Sequence, residues 1–429
     1  MEYDFSIPTD RRDTDSYKWD SAPEADIIPL WVADMDFETF PGITEALQRR
    51  VAHGIFGYTR VPEAYYEAVC RWFGKRHGWH INREHIIYTS GVVPAVSAVI
   101  KALTLPGDQV IVQGPVYNCF FSSIRNNGCE MVSNSLIYNK EELRYEIDFD
   151  DLERKLKHER ARLMLLCNPH NPGGRVWTRD ELTRVAELCR KYGVRVVSDE
   201  IHCELTLYDN EYVPFGSLPD ELSRDSITCC SPSKAFNTAG LQIANIVCRD
   251  AEVRNRIDRA ININEVCDVN PFGVIALQAA YSDEGYEWLK QLRKYISANY
   301  DLLLERFARE LPKCKVMRME GTYLAWIDCS ELHISSDEIE EMLMHENKVW
   351  VNAGSMYGAE GAAFIRINMA CTSELLNEGI SDILPIPGDL SKIRLVVNEA
   401  DAAKAEEILA AGFDQEEFDT ESAKRRKKP

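Results

Sequence analysis

From about residue 62 to residue 282, short apolar runs alternate with stretches whose apolar positions recur every three or four residues. That alternation predicts a mostly parallel sheet wrapped by helices. Seven runs read as strands: EHIIYTS, QVIVQG, EMVSNS, RLMLLCNP, VRVVSDE, SITCCS and IANIVC. Between them PEAYYEAVCRWFGKRHG, VPAVSAVIKALT, FDDLERKLKH and TRDELTRVAELCRKYG carry the helical period. After PFGVIALQAAYSD the pattern changes to one long amphipathic run, YEWLKQLRKYISANYDLLLERFAREL. The strand candidates TYLAWIDC and FIRINMAC follow. The expectation is an α/β fold with a seven-stranded central sheet over residues 51–283 and a smaller α/β domain over 284–385. Residues 1–50 are expected to pack with the smaller domain, and 386–429 to form an appended tail that reads as loop, strand and helix and ends in the basic run ESAKRRKKP.

The chain's 429 residues are enough for two such domains. Its formal charge of −20 opposes polyphosphate and anionic bilayer surfaces, so neither nucleic acid nor membrane is expected as a partner. No apolar run approaches the roughly 18 residues a spanning helix needs. The polar N-terminus lacks a secretory layout, which makes the cytoplasm the expected compartment. Thirteen cysteines are scattered through apolar segments with no metal-ligand spacing, as buried reduced thiols would be, and the adjacent Cys229 and Cys230 read as core packing. No metal is expected.

The candidate chemistry lies where strands end. In SPSKAFN, Lys234 leaves the carboxyl edge of a strand, where open α/β sheets place their ligands. A lone lysine is most often a solvated charge. Its companions, however, supply what a pyridoxal ring needs. Asp199 in SDEIH is placed to keep a pyridine nitrogen protonated, and the protonated ring is an electron sink. Asn171 in CNPHNPGGR offers an amide to the ring's phenolate oxygen, and Tyr117 in GPVYNCF offers a flat stacking partner. The turn SGVVPAV presents Gly91, Val92 and Val93 ahead of a helix as a phosphate site, with the Ser231 and Ser233 hydroxyls beside it.

These motifs resemble the fold-type-I pyridoxal 5′-phosphate (PLP) enzymes of the class I/II aminotransferase superfamily. The closer likeness is to the MalY/PatB group of cystathionine β-lyases, over roughly residues 3–382. It is carried by DMDF at 34–37, HGIFGYTR at 53–60, LCNPHNPGGRVW at 166–177, SDEIH at 198–202, SPSKAFNTAGL at 231–241, TYLAW at 322–326 and FIRIN at 364–368. The resemblance implies that Lys234 is the Schiff-base lysine, Asp199 the pyridinium partner, Asn171 the O3′ donor and Tyr117 the stacking ring. It implies that Arg366 grips the substrate carboxylate, a task that suits a guanidinium fork. Tyr58 would reach the cofactor phosphate of a neighbouring subunit and, like Asn171, border the substrate, so a homodimer with shared active sites is implied. Ordinary aminotransferases place a tyrosine three residues after the aspartate and an arginine eight after the lysine; this chain has His202 and Gln242 there. Both differences match the lyase-like group, and His202 joins the cofactor-binding candidates. Gly173 replaces a frequent threonine.

The reaction these residues imply is β-elimination from cystathionine or a cysteine-like amino acid, giving pyruvate, ammonia and a thiol. Lys234 would act as base, with Tyr117 positioning or protonating a group as the thiol departs. Two other readings stand beside it. An aminotransferase would share the early chemistry, and a non-catalytic regulatory protein would keep the fold without turnover, a reading that the retention of Lys234, Asp199, Asn171 and Arg366 opposes.

Overall fold

The protein's structure, a computed structural model, describes residues 2–383 apart from 264, 266 and 267, and the described residues belong to one compact unit. The tail expected after residue 385 lies outside the described residues. The strands, in chain order, are β1 (Ile28–Pro29), β2 (Ile86–Thr89), β3 (Gln109–Val112), β4 (Glu130–Ser133), β5 (Ile137–Asn139), β6 (Arg144–Glu146), β7 (Ala161–Cys167), β8 (Arg195–Asp199), β9 (Ile227–Cys230) and β10 (Ala244–Cys248). They continue with β11 (Lys315–Val316), β12 (Leu324–Asp328), β13 (Val349–Trp350), β14 (Asn352–Ala353) and β15 (Phe364–Asn368).

All seven segments read as strands from their apolar runs enter one sheet, in the order β2-β10-β9-β8-β7-β3-β4. Only β10 runs against its neighbours, pairing antiparallel with both β2 and β9. The carboxyl ends of the other six strands therefore share one edge. The sheet is covered on both faces, which is why its strands read as continuous apolar runs. Along β7, Leu163, Leu165 and Cys167 face a core shared with Val96 and Val99 of helix Val92–Leu103. Met164 and Leu166 face the opposite core with Leu182 and Val185 of helix Arg179–Lys191. Truncating one of these leucines to alanine costs about 2–5 kcal/mol, because close-packed neighbours on both sides cannot fill the space. Cys229 and Cys230 are both buried in β9, as core packing requires.

The second sheet, β11-β12-β15-β14, is antiparallel throughout. Helix Asp283–Glu310 buries Trp288, Leu292, Ile296, Leu303 and Phe307 along one side, and the Ser282 hydroxyl caps its start by accepting from the Gly285 N–H at 3.0 Å. The N-terminal segment reaches this part of the molecule through β1, which pairs in parallel with β13. Among the described residues no helix is long and apolar enough to cross a membrane.

Candidate active site

The shared strand edge brings three of the predicted residues together. Asp199 is the last residue of β8, Lys234 lies four residues past the end of β9, and Asn171 lies four past the end of β7. The Asn171 loop is held from outside. Arg175 donates from Nε to Glu320 at 2.9 Å and from Nη2 to Glu181 at 3.0 Å, and Glu181 completes a capping box with Thr178 at the start of helix Arg179–Lys191. Gly174 turns this loop with φ +67°, where a side chain would also press on Met319. The loop after Asp199 is drawn back by Glu200, which accepts from Ser198 Oγ at 2.7 Å and from the Phe215 N–H at 2.9 Å.

Lys234 points at the N-terminal segment, where its Nζ donates to the Ala33 carbonyl at 2.5 Å. The Tyr323 hydroxyl donates to the same oxygen at 3.0 Å. The neighbouring carbonyls are also engaged. Trp31 O accepts from Arg366 Nη2 at 2.8 Å, and Asn368 Nδ2 donates to both Val32 O and Asp34 O at 2.6 Å. Asn237, in the Lys234 loop, accepts from the Met35 N–H at 3.0 Å and donates to Met35 O and Phe37 O at 2.9 Å. Behind this strap Lys18, with no exposed surface, pairs with Asp36 at 2.7 Å, and Arg11 pairs with Asp34 and Asp36 at 2.8 Å each.

Arg366 comes from the other sheet. It sits in β15 opposite Trp326 of β12, 4% exposed, with its guanidinium 4.9 Å from the centre of the Tyr357 ring. Its Nη1 donates to Asn171 Oδ1 at 3.2 Å, which ties the two sheets' contributions together. Burial foremost pushes the Tyr117 phenol far above its usual range, with the Asp199 charge adding to the rise and that of Arg366 opposing it.

Burial shifts the ionisable groups in opposite directions. Desolvation lowers the Lys234 amine to about 8, with Arg366 pushing the same way and Asp34 and Asp199 opposing. Desolvation raises the Asp199 carboxyl to about 7, against the Ile201 N–H that donates to it. Burial takes His202 down to about 3, helped by the charges of Lys234 and Arg366, so its imidazole is neutral at working pH. His202 Nδ1 and Arg366 Nε are buried without a hydrogen-bond partner among the described residues. An underneutralised buried carboxylate, a neutral-capable amine and these two orphaned nitrogens fit a cationic heterocycle with an aldehyde, a phenolate and an amino-acid carboxylate.

The phosphate candidates are arranged differently from one another. Gly91 precedes helix Val92–Leu103, whose first-turn N–H groups at Val92 and Val93 have no helical acceptor. Ser231 is committed to its own turn: its Oγ lies 2.5 Å from Ile243 O and 2.9 Å from Ser233 Oγ, and it accepts from the Ser233 N–H at 3.1 Å. Tyr58 stands apart from the site in the single chain, 99% exposed, in a segment without regular structure that also bares Ile55 and Phe56.

Several site groups escaped the sequence reading. The carbonyls of Trp31 and Ala33 act through backbone and leave no residue signature. Tyr323 and Asn368 were within reach, lying in the segments TYLAW and FIRIN that were singled out without a role for these positions. Tyr357 had no signal, since an aromatic residue in a loop is ordinary.

The model of the family described as aminotransferase class I and II matches residues 25–383. Cystathionine beta-lyase PatB of Bacillus subtilis is 42% identical over 88% of this chain and 98% of its own length. A PLP-bound putative aminotransferase from Clostridium difficile matches with a TM-score of 0.86 and 38% identity, over 89% of this chain and 99% of its own. A PLP-bound C-S lyase from Staphylococcus hominis matches with a TM-score of 0.82 and 31% identity, over 89% and 98% respectively.

Proposed function

The chain belongs to the aminotransferase class I and II family, and on that footing we propose that it is a PLP-dependent carbon–sulfur β-lyase acting on cystathionine or a similar thioether amino acid. The observation that carries this reading is geometric: the Lys234 amine on the Ala33 carbonyl, the Arg366 guanidinium on Asn171 and Trp31, and the strand-end Asp199 come from different strands, with His202 Nδ1 and Arg366 Nε left without partners among the described residues. When bound, PLP supplies an electron sink conjugated to the amino acid's Cα.

The chain's own residues do the rest. Lys234 would hold the cofactor covalently, and its amine, once free, would serve as the base for the Cα proton. Asp199 would hold a proton on the ring nitrogen, its buried carboxyl accepting from the Ile201 N–H on one oxygen. Asn171 would offer its amide to the ring's phenolate oxygen while its Oδ1 stays on Arg366, neutral His202 would offer its unpartnered Nδ1, and Tyr117 would serve as the stacking partner. The N–H groups of the 91–93 turn and the Ser233 hydroxyl bind the phosphate, with Ser231 bracing the turn. Arg366 takes the substrate carboxylate on Nε and an Nη group, which sets the Cα–H bond for transfer to Lys234. The β-carbon–sulfur bond breaks, the sulfur leaves as homocysteine after protonation, and water completes the products pyruvate and ammonia.

The protein acts in the cytoplasm as a homodimer in which Tyr58, bare in the single chain, reaches the phosphate and substrate side of the partner's cleft. Residues 51–283 make the larger domain and the chain from residue 284 the smaller, which the N-terminal segment joins through β1. Aminotransfer is the second reading, favoured by the resemblance to the Clostridium difficile protein. The absence of the aminotransferase tyrosine and arginine at His202 and Gln242 weighs toward elimination. The test is to mix the PLP-loaded protein with cystathionine and no keto acid. Stoichiometric pyruvate and free thiol, lost in Lys234→Ala, support the lyase; product only when a keto acid is added supports the aminotransferase.

A further inference from the structure

Two side chains of the cleft end on one backbone atom, the carbonyl oxygen of Ala33: Lys234 Nζ at 2.5 Å and the Tyr323 hydroxyl at 3.0 Å. We propose that Tyr323 is a positioning residue for Lys234, its hydroxyl fixing the Ala33 carbonyl as the shared acceptor on which the lysine's free amine rests before and after it moves a proton. The inference rests on the reading of Lys234 as the base.

A carbonyl oxygen accepts along two directions near its plane, so one donor on each sets the rotation of the peptide. The peptides on either side are already pinned by Asn368, which donates to Val32 O and Asp34 O at 2.6 Å each, and by Asn237, which accepts from the Met35 N–H. Ala33 O is thus the acceptor in this stretch that faces the lysine, and Tyr323 is what holds its other side. Tyr323 is wholly buried and meets His202 edge-on, with ring centres 6.1 Å apart. Burial, with the Asp34 charge, pushes its phenol up, so the hydroxyl stays protonated and works as a fixed donor, never as a competing base. A hydroxyl in such a place must be paired or it destabilises the fold, and phenylalanine would pack equally well. The oxygen therefore points to a task on Ala33.

Sharing also sets the lysine's charge. A carbonyl that accepts from Tyr323 as well gives less support to an ammonium than one it holds alone, which keeps the amine available as a base.

The test compares wild type with Tyr323→Phe, which keeps the ring and its contact with His202. Apoprotein is mixed with PLP across pH 6–10 and the rate of cofactor attachment is followed by absorbance. The holoenzyme's exchange of the Cα hydrogen of L-alanine is measured in heavy water by NMR, since alanine has no group to eliminate and isolates the proton transfer. Thermal melting confirms that both proteins are folded. The expected results are an upward move of the attachment midpoint by about half a pH unit as the carbonyl passes wholly to Lys234, and an exchange kcat about tenfold lower with KM within about twofold. Either quantity staying at its wild-type value overturns the proposal, as does a rise in KM alone, which would assign Tyr323 to substrate binding. Wild-type protein that takes up no cofactor sinks the enzyme reading itself, and this inference with it.

Discussion

The cleft is built by two regions that contribute in opposite ways. The strand ends and the loops after them contribute side chains, Lys234, Asp199, Asn171 and Tyr117, whose proposed roles depend on their functional groups. The N-terminal strap contributes backbone. Its carbonyls at Trp31 and Ala33 receive Arg366 and Lys234, and any non-proline residue there would present the same oxygen. What the strap needs from its sequence is not a reactive group but a fixed place, and buried charges provide it: Lys18 on Asp36, and Arg11 across Asp34 and Asp36. Chemistry at the strand ends is thus specified by residue identity, and chemistry at the strap by what anchors it.

That contrast can be broken most severely at Lys234. Under the proposed function, replacing it with alanine removes both the covalent anchor and the base, and pyruvate release from cystathionine is expected to fall by about 10⁴-fold or more, with the strap and the melting temperature largely intact. Asp199→Asn leaves the shape and removes the charge proposed to keep the ring nitrogen protonated. A loss of about 10²–10³-fold in kcat is expected, measured as initial rate at saturating substrate. Arg366→Lys keeps a positive charge but loses the planar fork, so KM should rise by about 10–100-fold with a smaller change in kcat.

The strap should fail differently. Asp36→Ala leaves Lys18 buried and without its carboxylate, and is expected to destabilise the fold by about 3–5 kcal/mol in urea unfolding. Activity per folded molecule should fall far less than in Lys234→Ala. An Asp36→Ala protein of wild-type stability would show that the strap is not held as described.

The gentlest prediction is a pH dependence. An ammonium cannot attack an aldehyde, and burial brings the Lys234 amine down to about 8. Cofactor attachment to the apoprotein should therefore speed up about tenfold per pH unit below 8 and level off above it. A rate still climbing at pH 10 would mean that the amine is not desolvated. For the same empty cleft the Asp199 carboxyl, raised from 3.8 to about 7, binds a proton in the folded state that the unfolded chain has already released. The stability this group contributes is present below about pH 4 and lost as pH rises toward 7.

The same contrast explains what could be read in advance. The seven strands of the large sheet were legible because burial on two faces leaves unbroken apolar runs, and the residues at their ends because lysine, aspartate and asparagine stood in a recognisable order. The partnership of Ser231 with Ile243 was not legible, since a serine in a turn reads equally as a phosphate ligand or as its brace. Tyr58 could be named only by resemblance, and the single chain leaves it in solvent. Ala33 was invisible because its role is a carbonyl; Tyr323 lay in a segment already singled out, but its hydroxyl matters through that carbonyl and not through any pattern of its own.

The most direct measurement is to load the protein with PLP, reduce it with borohydride, digest it and locate the modified peptide by mass spectrometry. The account predicts a single phosphopyridoxyl group, on Lys234. A group on any other lysine, or none, would contradict it.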